Sequence, residues 1–253
     1  MRRQPKGEID LESADLNLPR WRLLLFGASG AVGEAIADMA RAEGWSLTAV
    51  SRSRQPDAPD RTWVRYDPAT DDFPSTDLGE HGPFDAVCWA QGANRQDSVQ
   101  DFDADASADL YEANCLYVAR SLNELLGASL LRPGGARLCV VSSIWQERAR
   151  QTKLSYTMTK AALGGLVRSA SVDLAADGHL INAVLPGVLD TPMTHAAMRP
   201  EQVQGVMKAT PFNAIPTPDG IARLVGFLCS DQNTVLTGQS ITADLGFSNV
   251  RLV

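Results

Sequence analysis

The sequence predicts an α/β fold, a doubly wound parallel sheet between two layers of helices (a three-layer α/β/α arrangement) in a single domain. Two observations carry that prediction. From Trp21 onward short apolar runs alternate with longer amphipathic segments, so that RLLLFG, AVGEAIADMARAEG and SLTAVS read as strand, helix and strand; this alternation implies parallel strands joined by crossover helices. The later run ARLCVVSS is almost continuously apolar, as a strand covered on both faces is. At 253 residues the chain can bury a large core within the size range of one α/β domain.

In chain order, residues 1–19 are polar, contain two prolines and show no periodicity; they are expected to form a mobile or edge-packing arm. The domain proper is expected over 20–253. After the first strand, helix and second strand, TWVRY is the third strand candidate. The stretch from Asp67 to Phe84 is polar and broken by Pro and Gly, so its helix should be short or absent. FDAVCWA, ARLCVVSS, LINAVLP and SITAD supply the remaining strands, with helical patterns over roughly 106–131, 155–177 and 218–230. Between them, about 190–218 mixes apolar residues with prolines. That composition suits a substrate lid; a packing helix and loop is the alternative.

A net charge of -7 with scattered basic residues provides no field to gather a nucleic acid. The four cysteines, Cys88, Cys115, Cys139 and Cys229, sit singly in apolar runs and read as reduced core thiols, which points to the cytoplasm. Nothing after Arg2 and Arg3 is apolar enough for a secretion signal, and no run reaches membrane-spanning length. His81, His179 and His195 share no ligand spacing, so no metal site is expected.

Two groups of residues carry chemistry. Gly27, Gly30 and Gly33 follow the first strand and open the first helix, where backbone amides and the helix dipole can hold a pyrophosphate; tight strand-to-helix packing is the other use of such glycines. Ser143 ends the ARLCVVSS strand, Tyr156 follows thirteen residues later, and Lys160 lies four beyond that, on the same helix face. A phenol of reference pKa near 10 can protonate a carbonyl oxygen if an ammonium draws its pKa down, and a strand-end hydroxyl can hold that oxygen. Singly, each residue has a plainer use: a turn cap, a packed ring, a solvated lysine.

Taken together these residues resemble the single-domain branch of the short-chain dehydrogenase/reductase family, over about Trp21 to Phe247. The resemblance implies a Rossmann-type fold and a catalytic set of Asn114, Ser143, Tyr156 and Lys160, in which Lys160 also holds the cofactor ribose and Asn114 keeps a proton-relay water. It implies that the cofactor runs along Gly27, Ser29, Gly30, Val32 and Gly33, then Ser51, Arg52 and Asp67, then Ala90 and Gly92. Tyr156 and Lys160 border it too, and Pro186, Gly187, Val188 and Thr191 contact the nicotinamide. The chain departs from the family pattern at Phe26, at the placement of Gly30, and at Trp89 to Gly92, where the family carries Asn-Asn-Ala-Gly. An NAD-selective site places a carboxylate about twenty residues past the glycine turn. Ser51 stands there instead, followed by Arg52 with Arg54 near, and an arginine fork suits phosphate; NADP(H) is therefore expected over NAD(H), with solvated loop arginines as the alternative.

The expected function is hydride transfer between a nicotinamide and a small-molecule carbonyl or alcohol. Met193, Met198, Met207, Phe212 and Trp145 are expected to make its pocket apolar. Two rivals share the fold: a non-catalytic NADP(H)-binding sensor or assembly subunit, suggested by the altered Trp89–Gln91 segment, and a nucleotide-sugar epimerase or dehydratase, suggested by the glycine spacing. The small and apolar residues over 106–131 and 155–177, with the family's helix-pair interface, imply a homodimer or homotetramer.

Overall fold

The computed structural model describes residues 21–53, 55–56 and 58–250; the arm at 1–19 and Arg54 lie outside the described residues. All seven predicted strand runs are strands: β1 (Arg22–Phe26), β2 (Ser46–Ser51), β3 (Thr62–Arg65), β4 (Ala86–Trp89), β5 (Arg137–Val141), β6 (Leu180–Pro186) and β7 (Ser240–Ala243). They form one sheet in the order β3-β2-β1-β4-β5-β6-β7, and every pairing is parallel.

β1 shows why the runs are so apolar. Its Leu24 and Phe26 enter one core and its Leu23 and Leu25 the other, because successive strand side chains point to opposite faces. Burial of each such side chain stabilises by about 1.5–3 kcal/mol. The Leu23 side is covered by α1 (Ala31–Ala42) and α8 (Pro218–Cys229), through Ile36, Ala40, Ile221 and Val225. The Phe26 side is covered by α4 (Tyr117–Gly127) and α5 (Leu154–Asp173), through Tyr117, Leu122, Leu163 and Val167. The expected short helix is α2 (Ser75–Gly79), and α6 (Pro192–Ala197) and α7 (Pro200–Lys208) occupy the predicted lid segment.

The helix expected over 106–131 is instead three pieces: α3 (Ala104–Tyr111), a π-helical turn at Glu112–Leu116, and α4. The extra residue of a π turn widens the helix locally, and here Asn114 uses it to bond Ala93, its Nδ2 donating to Ala93 O at 3.0 Å and its Oδ1 accepting from Ala93 N at 2.7 Å. The helix stops at Gly127 because the next residues pair with Phe84, whose N donates to Leu130 O and whose O accepts from Arg132 N. After α5 a short 3-10 turn, Ala175–Asp177, ends at Gly178 with φ 76°, a left-handed conformation glycine adopts freely.

All four cysteines are free and buried. His179 is buried and its Nδ1 accepts from Ala136 N at 2.8 Å, a packing role. Among the described residues no cluster of side chains could hold a metal ion, and no helix is long and apolar enough to cross a membrane.

Candidate active site

The chain leaves β1 outward to β2 and β3, then returns to β4 on the other side of β1. Ligands of open α/β sheets bind in the crevice at the carboxyl ends of the strands where the order reverses. A cleft of about 620 Å³ lies there, lined from the ends of β1, β4, β5 and β6.

Of the glycine turn, Gly27, Ser29, Gly30 and Val32 line the cleft. No side chain caps α1 at Gly30, so its first amides are open to an anion. Gly33 does not line the cleft, contrary to expectation. A Cβ there would stand 2.2 Å from Gly27 O; Gly33 lets the helix close on the turn. A Cβ on Gly27, whose φ is 75°, would stand 2.4 Å from Gln91 N, which fixes the loop after β4 against the turn.

Next to this end, a second cavity of about 320 Å³ is lined by Ser51, Arg52, Asp67 and Gly92, among others. Ser51 is buried, and its Oγ accepts from Gln55 Nε2 at 3.2 Å. Arg52 is exposed and borders both cavities.

Ser143, Tyr156 and Lys160 meet at the middle of the cleft, with Ala90, Pro186, Gly187, Val188 and Thr191 on its walls. Ser143 follows β5 and caps the 3-10 turn Ile144–Gln146, its Oγ accepting from Trp145 N at 3.3 Å. That turn presses on α5 so closely that a Cβ at Gly164 would lie 2.8 Å from Gln146 Nε2. Ser143 stands close enough to the Tyr156 phenol to draw its pKa down.

The start of α5 is tied to the loop after β4. Buried Asp97 accepts from Ser155 N at 3.0 Å and from the Ser155 hydroxyl, and Asn114 Nδ2 donates to Thr159 Oγ1 at 3.0 Å. Asn114 itself lies behind the cleft wall: a Cβ on Gly92 would be 3.6 Å from both Asn114 Oδ1 and Lys160 Nζ.

The electrostatics correct one expectation. Burial pushes the Tyr156 phenol above its usual value, and Ser143 is what draws it down. Lys160 Nζ, 5.6 Å from the ring centroid, is itself brought to about 8 by burial, since desolvation disfavours an ammonium.

Two expected pocket residues are elsewhere. Met193, Met198 and Trp145 line the cleft, but Met207 and Phe212 do not, and Phe212 is 71% exposed; α7 instead faces Trp145 and Val188 with Gln202 and Val206. Conversely Asn94, Gln96, Arg150 and Lys153 line the cleft and were not singled out from sequence. Lys153 lies three residues before Tyr156, a helical spacing that marks it once Tyr156 is chosen.

The cleft suits a dinucleotide. Its lining contains Arg52, Arg150, Lys153 and Lys160 and no Asp or Glu. Gln91 Nε2 and Oε1 and Ser142 Oγ are buried there without a partner, and buried polar atoms ordinarily have one.

Known proteins of similar sequence and fold are oxidoreductases. The family model described as enoyl-(acyl carrier protein) reductase matches residues 64–248. The uncharacterized oxidoreductase YmfI of Bacillus subtilis (strain 168) is 26% identical over 239 residues, covering 88% of this chain and 97% of that protein. The 3-oxoacyl-(acyl-carrier-protein) reductase FabG of Salmonella typhimurium is 26% identical over 234 residues, covering 88% and 95%. Among solved structures, ligand-free aldohexose dehydrogenase of Thermoplasma acidophilum superposes with a TM-score of 0.81 at 21% identity, covering 92% of this chain and 96% of that one.

Proposed function

The chain belongs to the short-chain dehydrogenase/reductase family, and from that premise we propose that it is an NADP(H)-preferring carbonyl reductase or alcohol dehydrogenase in which Tyr156 is the proton donor and acceptor. That it is a nicotinamide-dependent oxidoreductase acting on a CH–OH/C=O group follows from the family and its dehydrogenase and reductase members. Neither rival, the non-catalytic cofactor binder nor the sugar epimerase, is favoured by these relatives.

The observation that carries the residue roles is the convergence of Ser143, Tyr156 and buried Lys160, its Nζ 5.6 Å from the Tyr156 ring, in one cleft with the glycine turn. A nicotinamide cofactor held along that cleft would supply the hydride in reduction and accept it in oxidation. Ser143 holds the substrate oxygen, and Tyr156 gives its proton to that oxygen in reduction and takes it back in oxidation. Lys160 holds the ribose, and Asn114 fixes the Ala93 backbone beside it. Gly27, Ser29, Gly30 and Val32 cradle the pyrophosphate, with Gly33 packing the turn. Ser51, Arg52 and Asp67 take the adenosine end, Ala90 and Gly92 the middle, and Pro186, Gly187, Val188 and Thr191 the nicotinamide. Residues 190–218 act as a lid over the substrate. The test is incubation with NADPH and a panel of ketones and 3-oxoacyl thioesters, following absorbance of the reduced cofactor; no oxidation of NADPH by any carbonyl would refute the reading.

The working form is a homodimer or homotetramer. Leu126 on α4 and Met158 and Val172 on α5 are exposed apolar residues, a surface that a second copy would cover. Light scattering at micromolar concentration should give a multiple of the chain mass, and a monomeric mass would contradict this.

A further inference from the structure

The larger cleft is lined by four cations and no carboxylate, in a protein of net charge -7. Under the function proposed above, Arg52 and Lys160 belong to the cofactor. Lys153 and Arg150 remain, and they flank Tyr156 and Trp145, away from the glycine turn. Lys153 is 6% exposed, and its Nζ stands 5.4 Å from the Tyr156 ring centroid. That ammonium donates only to neutral acceptors, Asn94 Oδ1 at 2.5 Å and Arg95 O at 3.1 Å. An ammonium has three donors, so one is left. Arg150 lies over the Trp145 ring at 5.9 Å and makes no ion pair with any described residue.

The neighbouring carboxylates are already committed. Asp97 serves Ser155, and Arg95 lies 3.8 Å from Asp97 and 3.5 Å from Asp103. Arg95 is therefore neutralised, whereas Lys153 and Arg150 repel one another: burial and Arg150 pull the Lys153 pKa down, and Asp97 only partly offsets them. Two unpaired like charges in one recess are unfavourable until an anion joins them.

We propose that the substrate carries a carboxylate, bound by Lys153 and Arg150, a short carbon spacer away from the carbonyl that Tyr156 protonates. The planar fork of an arginine and one ammonium N–H match the two oxygens of a carboxylate. The 5.4 Å between Lys153 Nζ and the Tyr156 ring limits the spacer to a few carbons. Trp145, Met193 and Met198 offer that spacer an apolar wall. The substrate class is thus a short oxo acid and the matching hydroxy acid.

This inference rests on the oxidoreductase reading, and its test separates the two. Pyruvate, acetoacetate and levulinate, each beside its methyl ester, are offered to the cofactor-loaded wild type and to Arg150→Gln, measuring both turnover and calorimetric binding. At least one acid should be turned over with a kcat/KM roughly tenfold or more above its ester. Arg150→Gln should remove that preference by lowering the acid's kcat/KM and leaving the ester's unchanged; Lys153→Gln, whose charge also faces Tyr156, should lower the acid's kcat/KM more than the ester's, and Arg150→Gln decides if the Lys153 variant fails to fold. Equal turnover of acids and esters, an Arg150→Gln variant that slows both alike, or no acid bound at all overturns the carboxylate subsite. Acid bound selectively over ester, weakened by Arg150→Gln and never turned over, supports the subsite and overturns the oxidoreductase reading instead.

Discussion

Replacing Arg52 by Ala should convert an NADPH-selective protein into one that barely distinguishes the two cofactors. Arg52 follows directly on β2, is exposed, borders both cavities and forms no ion pair with a described residue, so its guanidinium need not be released to meet a phosphate. A hydrogen bond to a charged group contributes about 1.5–3 kcal/mol, or roughly ten- to a hundredfold in affinity. Two features hold the effect to the low end. Arg52 is solvated, which screens it, and Asp67, Asp109 and Glu112 line the smaller cavity. Glu112 is already engaged by Arg120 at 2.5 Å, which leaves two carboxylates to oppose the phosphate. Wild type should therefore bind NADPH about tenfold more tightly than NADH, and Arg52→Ala should lose that factor for NADPH alone. Ser51→Asp should reverse the preference, since the buried Ser51 position would aim a carboxylate at the ribose hydroxyls. Titration of both cofactors by fluorescence or calorimetry decides it; equal wild-type affinities, or an Arg52→Ala variant that loses both cofactors alike, would refute the reasoning.

Tyr156→Phe should lower kcat by about 10²–10⁴-fold with cofactor affinity nearly unchanged; more than half the wild-type rate would remove Tyr156 from the mechanism. Trp89→Ala should cost about 3–5 kcal/mol in urea unfolding, and Phe26→Ala with Trp89→Ala should cost less than the sum of the two by about 0.5–1.5 kcal/mol; strict additivity would deny the coupling. Lys160→Met should stabilise the cofactor-free protein at pH 7 by about 3 kcal/mol, because the Lys160 pKa is brought to about 8 from 10.5 by burial. Between those values the unfolded chain binds the extra proton, so wild-type stability rises with pH there and the advantage of the variant fades; thermal melts from pH 7 to pH 10.5 that keep a constant difference would refute it.

What the sequence shows well is what depends on near neighbours. The strand runs announce themselves by unbroken apolarity, and Tyr156 and Lys160 share a helix face four residues apart. The residues that escaped depend on distant partners. The π turn at Glu112–Leu116 exists around a bond from Asn114 to Ala93, 21 residues away, and helical periodicity carries no trace of it. Lys153 enters the cleft because Asn94 and Arg95, 59 and 58 residues away, hold its ammonium. Met207 and Phe212 are apolar by type, which reports nothing of direction, and neither faces the cleft.

The departures from the family at Phe26 and Trp89 are one structural change. The two residues are register partners on adjacent parallel strands, and their rings stack 5.8 Å apart with planes 2° from parallel. Tyr117 meets Phe26 edge-on at 5.7 Å, and Trp89 Nε1 donates to buried Ser121 Oγ at 2.8 Å. Both rings lie in the core beneath α4, so neither side chain can serve the cleft. The backbone that follows them is nevertheless held as a cofactor-binding turn requires. Gly27 N donates to Val50 O at 3.1 Å and Ala90 N to Phe26 O at 2.9 Å, and Gly27 packs directly on Gln91. The aromatic pair thus helps fix the two strand ends together and leaves Gln91, with its amide unpaired, as the polar side chain presented at that point of the cleft.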